Sequence, residues 1–347
     1  MREDLNIDTN DSIVPIGKDV RWSDYMWHLT PVEHKSDGMW YKREDKFALY
    51  GINTINGSKC RQLLYLFDTR PAGSKVVVHA TNVNSSPQTP MTAVMADHYG
   101  LDCIQIAGAT HFDSISKLDF PRFATMFGTK YDLKSKVAYN VAIQKRVREI
   151  MDKIPGSFTI ERDITLDHKL RNNSVESIRG FHSVGAKQTE NIPPHIEDLI
   201  IPFGSANSST SILYGLYNDL GKFDRTLKRV HLVNVGVDKR QYMFERLELL
   251  GANNIPYEII YHDTKMEYNK TIRGLKVDDI TFHYRYEAKC YDYLLKNRSD
   301  LIKDTSLFWI VGSVPDLETT ALKCNKVIPD QVVLYRDEPE SSLENFM

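Results

Sequence analysis

Short apolar runs alternate along this chain with stretches whose apolar residues recur at helical spacing. "VVVHATNV" (76–83) reads as a buried strand, and "TPMTAVMADHYG" behind it as a helix ending on Gly100. "LDCIQIAGA" (101–109) is a second strand and "VAYNVAIQKRVREIMDKI" (137–154) an amphipathic helix. "EDLIIPFGS" (197–205) and "SILYGLYNDLG" (211–221) repeat the strand-then-helix order. "RVHLVNVGV" (229–237), "ITFHY" (280–284) and "SLFWIVGSV" (306–314) continue the strand series. Apolar strands separated by helices predict an α/β fold, with parallel sheets covered by helices on both faces. The charged stretch "ERDITLDHKLRNNSVES" (161–177) has no strong periodicity and is a candidate domain connection.

Composition narrows the class. A chain of 347 residues with 41% hydrophobic and 26% charged residues suits about two domains, each with a real core. A net charge of −2 argues against a nucleic-acid coat. Cys60, Cys103, Cys290 and Cys324 lie far apart and form no C-x-x-C pair, which argues against zinc or a disulfide framework and for a reducing cytoplasm. His79, His98 and His111 show no metal-ligand spacing, so no metal is expected. The polar opening "MREDLNIDTNDS" is neither signal nor transit peptide, and the run "LFWIV" is too short to cross a bilayer.

One stretch asks for an explanation. In "NGSKCRQLLYLF" (56–67), Asn56-Gly57 signals a turn and Ser58 a helix N-cap, with Leu63, Leu64 and Phe67 at helical spacing. Lys59 then sits in the first helical turn, at the positive end of the helix dipole. Nothing structural calls for a cation there.

Four stretches in register supply the reason. They are "YKREDKFALYGINTINGSKCRQLLYLF" (41–67), "NSSPQTPMTAVMADHYG" (84–100), "IIPFGSANSSTSILYGL" (200–216), and "YRYEAKCYDYL" (284–294) followed by "LFWIVGSVP" (307–315). In this order and spacing the chain resembles fold type II pyridoxal-phosphate enzymes, the tryptophan synthase β superfamily. It is most similar to the aminocyclopropane-carboxylate deaminase and D-cysteine desulfhydrase branch, over roughly residues 40–320. The wording of the motifs resembles phage versions of cellular enzymes.

The resemblance implies two domains of twisted parallel sheet. A large cofactor-binding domain would comprise 1–71 and 181–347, and a small inserted α/β domain 72–180. Lys59 matches the lysine that holds pyridoxal 5'-phosphate as a Schiff base and moves the α-proton. A helix N-terminus and partial burial both disfavour its ammonium, as an amine nucleophile requires. Gly204, Ser205, Ala206, Asn207 and Ser208 match the loop that cradles the cofactor phosphate. Asn207 stands where a glycine is usual and tolerates positive φ. Glu287 matches the glutamate that meets the pyridine nitrogen and strengthens the ring as an electron sink. Tyr286 matches a tyrosine over the active site, with Tyr284 beside it. Val311 replaces a threonine that serves as pyridine partner in the desulfhydrase branch, and Ser313 is the next candidate for that contact.

The substrate wall departs from the family. Ser86 matches the serine that binds the substrate carboxylate and assists proton movement, with Ser85 beside it. Pro87 replaces an asparagine and supplies no donor; Asn82 and Asn84 are the candidate substitutes. Gln88 keeps the next polar position, and Pro90 replaces an arginine. The implied function is a pyridoxal-phosphate-dependent lyase acting at Cα of an amino acid or an amino-acid-bearing substrate, through a quinonoid carbanion. Elimination with deamination is the family default. Decarboxylation of an aminoacyl group on a nucleotide or modified DNA base is the alternative, since a site that does not grip the carboxylate can expel it. A relative that has lost the cofactor and survives as a binding or scaffold protein is the rival from another class. The family also implies a homodimer, with nucleic acid entering only as substrate, no membrane partner, and host cytoplasm as the setting of a phage enzyme.

Overall fold

The computed structural model describes residues 12–17, 19–81, 86–108, 112–135, 140–160 and 174–336. The first half forms β1 (Val32–His34), β2 (Trp40–Arg43), α1 (Ser58–Asp68), β3 (Val76–Thr81), α2 (Gln88–His98), β4 (Asp102–Ala107), α3 (Asp113–Ser116), α4 (Asp119–Met126), β5 (Lys130–Asp132), α5 (Asn140–Lys153) and β6 (Ser157–Ile160). The second half forms α6 (Val175–Ala186), β7 (Asp198–Phe203), α7 (Asn207–Asn218), β8 (Arg229–Asn234), α8 (Arg240–Leu249), β9 (Glu258–Asp263), β10 (Lys276–Val277), β11 (Ile280–Thr281), α9 (Glu287–Asn297), β12 (Ser306–Ile310), α10 (Leu317–Lys323) and β13 (Val333–Leu334). Among the described residues no helix is long and apolar enough to cross a membrane.

The chain divides into two compact units, one of Met1–Asp68 with Thr165–Thr320, the other of Thr69–Ile164 with Ala321–Met347. The sequence reading drew the smaller domain as 72–180 and kept the C-terminus in the larger one. In the structure β13 pairs with β5 of the second unit, and α6 packs on α1 and α7 of the first.

The first unit is built on a six-stranded sheet in the order β1-β2-β12-β7-β8-β9. Its neighbours run parallel except β1, which pairs antiparallel with β2. Every residue of β7 and β12 is buried, as a parallel strand covered on both faces requires. Because β2, β12, β7 and β8 share a direction, the segments that follow them emerge at one edge. Loops with chemistry are found at that edge in such sheets. The second unit carries five parallel strands in the order β13-β5-β4-β3-β6. Val76, Val78, Ala80, Ile104 and Ile106 pack there against Ile143, Val147 and Ile150 of α5.

"ITFHY" does not join the main sheet. Only Ile280 and Thr281 are extended, in a hairpin with β10. The chain then turns into α9: the Tyr286 and Ala288 amides both donate to the His283 carbonyl, at 3.1 Å. Ser58 is not the cap expected of it either. It lies inside α1, and its hydroxyl donates to Glu44 Oε2 at 3.3 Å.

Candidate active site

Buried charge fixes the start of α1. Glu44 follows β2 and is fully buried, as is Arg61 one turn into α1. The Arg61 guanidinium donates to both Glu44 oxygens at 3.2 Å, and to the Met26 and His28 carbonyls. Thr30 Oγ1 adds a donor to Glu44 Oε1 at 2.6 Å. Such a pair persists in a dry interior only when every remaining donor and acceptor is met. The Arg61 and Lys42 charges hold the Glu44 carboxyl below the usual range against the opposing effect of burial. Glu44 of the K-R-E-D run therefore clamps the helix that presents Lys59.

The turn before Lys59 is fitted just as closely. Gly57 has φ +94°, and a Cβ there would lie 2.5 Å from the Val311 carbonyl oxygen. No L side chain fits. The Ser58 amide donates to that same carbonyl at 2.8 Å. The segment after β12 is thus stitched to the head of α1, and Asn56 adds a second stitch. Its Nδ2 donates to Ser313 Oγ at 2.9 Å, and its Oδ1 accepts from the Ser313 amide at 2.8 Å. Lys59 lies half-buried in this first turn.

Glu287 opens α9 and is fully buried. Its Oε1 accepts from the amides of Val311, at 3.0 Å, and Gly312, at 3.3 Å. Its Oε2 has no hydrogen-bond partner among the described residues. Burial outweighs the amides and pushes the carboxyl up to about 8. A buried carboxyl oxygen without a partner, backed by two amides, fits a ring N–H aimed at it.

The segment after β7 fits an anion. Ala206 has φ +69° and precedes Asn207, the first residue of α7. The Thr210 amide is the first to bond back, to the Ala206 carbonyl at 2.8 Å. The amides ahead of it in the first turn, such as those of Ser208 and Ser209, point out of the helix head, where an anion can meet them. The left-handed residue is thus Ala206, where the sequence reading placed positive φ at Asn207. Asn207 is helical, and its Oδ1 accepts from Tyr242 Oη at 3.3 Å. A left-handed alanine costs roughly 1–2 kcal/mol, strain of the kind held at functional loops. The Tyr286 ring packs within 3.6 Å of where a Cβ on Gly204 would stand, and its Oη meets Tyr268 Oη at 3.1 Å.

His283 carried no clear sequence signal. It is buried beside the Tyr284 and Tyr286 rings, and its Nδ1 accepts from the Arg285 amide at 3.1 Å. Burial, with the charges of Arg285 and Lys59, pushes it down to about 3, so it is a neutral wall of the site.

Two other lysines near these elements are committed elsewhere. Lys42 Nζ donates to the Thr30 carbonyl and Asn191 Oδ1. Lys289 Nζ donates to the Val235, Glu267 and Tyr268 carbonyls at 3.3, 2.8 and 2.9 Å. Both are fully buried.

Lys59, Gly204–Ser208, Tyr284, Tyr286 and Glu287 thus belong to the first unit, and Ser86 and Gln88 to the second. Ser86 Oγ accepts from the Gln88 amide at 3.3 Å, and Pro87 stands at the head of α2. Gln105 Nε2 donates to the Thr89 carbonyl at 2.9 Å and so braces that first turn on β4. Ser85, Asn82 and Asn84 lie outside the described residues.

No family profile matches the chain. Among solved structures it is similar to a homologue of aminocyclopropane-carboxylate (ACC) deaminase, with TM-score 0.62 and 16% identity over 86% of this chain and 93% of that one. It is also similar to Escherichia coli diaminopropionate ammonia lyase, with TM-score 0.52 and 10% identity over 91% and 95%. A hydrogen sulfide-producing enzyme of Fusobacterium nucleatum gives TM-score 0.54 and 13% identity over 86% and 97%. These likenesses carry the fold. A phage protein is nearer in sequence: the O-seryl-dTMP PLP-dependent decarboxylase of Salmonella phage ViI is 30% identical over 398 aligned positions, covering 95% of this chain and 92% of that protein.

Fold and kinship together define a pyridoxal-phosphate-dependent lyase of fold type II. The chain belongs to the family of that phage decarboxylase.

Proposed function

We propose that this enzyme decarboxylates an amino acid carried on thymidylate. The observation behind this reading is the kinship with the O-seryl-dTMP decarboxylase across 95% of the chain. The chemistry requires a free α-amine and a free α-carboxylate: R–CH(NH3+)–COO− and a proton become R–CH2–NH3+ and CO2.

Bound pyridoxal phosphate supplies the sink for the electron pair left at Cα when carbon dioxide departs. Lys59 Nζ would hold the cofactor between turnovers and would deliver the proton that replaces the carboxylate. Glu287 Oε2 would hold a proton between itself and the ring of the cofactor, and the Val311 and Gly312 amides fix its other oxygen. The amides at the head of α7 take the phosphate. Tyr286, tethered by Tyr268, limits where the substrate lies.

The test is to incubate the holoenzyme with seryl-thymidylate labelled at the carboxyl carbon. Release of labelled carbon dioxide, with a primary amine left on the nucleotide, is the expected result. Release of ammonia and a keto product would overturn the reading in favour of elimination.

A further inference from the structure

The first unit gathers positive charge near Tyr284. The Arg273 and Arg285 guanidinium carbons lie 5.3 and 5.7 Å from the centre of the Tyr284 ring. The Arg285 Nε and Nη1 atoms are buried and have no hydrogen-bond partner among the described residues. Across the described residues no ion pair joins Arg273, Arg285 or Lys270 to a carboxylate. The surroundings register the excess: beyond the effect of burial, Arg285 is the leading charge that lowers both His283 and Lys289. Burial pushes the Glu287 carboxyl, two residues on from Arg285, up to about 8, so it offers little compensation at neutral pH.

A half-buried guanidinium without an acceptor is costly, and a phosphate is the acceptor its planar fork suits best. The head of α7 already provides for one phosphate. We propose that Arg285 and Arg273, both within 6 Å of the centre of the Tyr284 ring, bind a second one: the phosphate of the nucleotide that carries the amino acid. This rests on the nucleotide reading above and gives that substrate its handle. Arg285 is the inner contact. Arg273 is exposed and held near by the Ile272 amide, which donates to the Tyr284 carbonyl at 2.9 Å.

Binding can be measured without turnover, by calorimetry on the holoenzyme with dTMP and with thymidine. Wild type should bind dTMP at least tenfold more tightly than thymidine. Arg285→Gln should weaken dTMP by about tenfold to a hundredfold, the loss of one charge-assisted contact, and leave thymidine unchanged. Arg285→Lys should recover part of the loss, and Arg273→Gln should show a smaller one. Arg240→Gln, which breaks an exposed pair with Asp238, is the control and should change neither ligand. A short oligothymidylate, compared with dTMP, tells a phosphate within a strand from that of a free nucleotide. Equal binding of dTMP and thymidine by wild type would overturn the proposal. So would an Arg285→Gln protein that keeps its dTMP affinity, or one whose absorbance shows lost cofactor in place of lost dTMP binding. Should Arg285→Gln fail to fold, Arg273→Gln alone decides by the same comparison. Carbon dioxide release is scored separately, so phosphate-dependent binding without decarboxylation would reject the reaction and keep the phosphate site.

Discussion

Val311 joins Glu287 through its backbone: its amide donates to Glu287 Oε1 at 3.0 Å, while its carbonyl accepts from Ser58. The residue that reads in sequence as a lost hydroxyl thus serves with its peptide groups. It ties the head of the Lys59 helix to the carboxyl that faces the ring nitrogen in our reading.

Glu287→Gln should therefore keep the fold and the cofactor but lose turnover by several kcal/mol in barrier, the scale of a preorganised electrostatic contact. Steady-state kcat with cofactor occupancy by absorbance checks this; near-normal turnover at full occupancy would move the ring partner to Ser313. The apo protein offers an independent reading. With the Glu287 carboxyl at about 8 against an ordinary 4.5, the folded state keeps a proton that the unfolded chain has shed between those values. Stability should fall as pH rises through that window, and Glu287→Gln should flatten the slope. Urea titrations across that range measure it.

Lys59 should carry the cofactor. Borohydride reduction of the holoenzyme and peptide mapping should place the pyridoxyl group there. A label on Lys42 or Lys289 would refute the assignment. Lys59→Ala should still bind pyridoxal phosphate, more weakly, through the head of α7 and Glu287.

Glu44→Gln should cost about 3–5 kcal/mol of stability, because Arg61 would stay buried without its counter-charge. The Glu44 carboxyl is depressed in the fold, so its contribution is present above the ordinary carboxylate range and lost as pH falls through its folded value. A double change to Glu44→Leu with Arg61→Met should recover much of the loss. A Glu44→Gln protein as stable as wild type would show that the pair does not anchor α1.

Lys289→Met should lower stability by a few kcal/mol, since the Glu267 and Tyr268 carbonyls would lose their donor. The segment carrying Tyr268 should loosen with it. Hydrogen exchange at residues 264–270, faster in the variant than in wild type, is the expected sign; unchanged exchange would mean that Lys289 does not hold that segment.

Much was legible in the chain because it is written locally. Period and apolar runs placed β3, β4, β7, β8 and β12 and the helices α1, α2, α5 and α7, and a lysine at a helix start stood out against the dipole rule. The stretch from Gly204 to Ser208, an anion site in our reading, is also consecutive, so the resemblance could point to it from the sequence. Where local signals compete, the reading slipped: "ITFHY" has strand composition, yet the His283 carbonyl draws it into the head of α9. Positive φ fell on Ala206 and not on Asn207, because Asn207 is used as the first helical residue. Other features depend on partners distant in sequence, and no pattern in one segment encodes them. The Glu44–Arg61 clamp, the Gly57 contact with Val311, the unpaired Glu287 Oε2 and the uncompensated guanidinium at Arg285 are of this kind. Burial and pairing are properties of the packed chain, and they decide which side chains are left with a bond still to make.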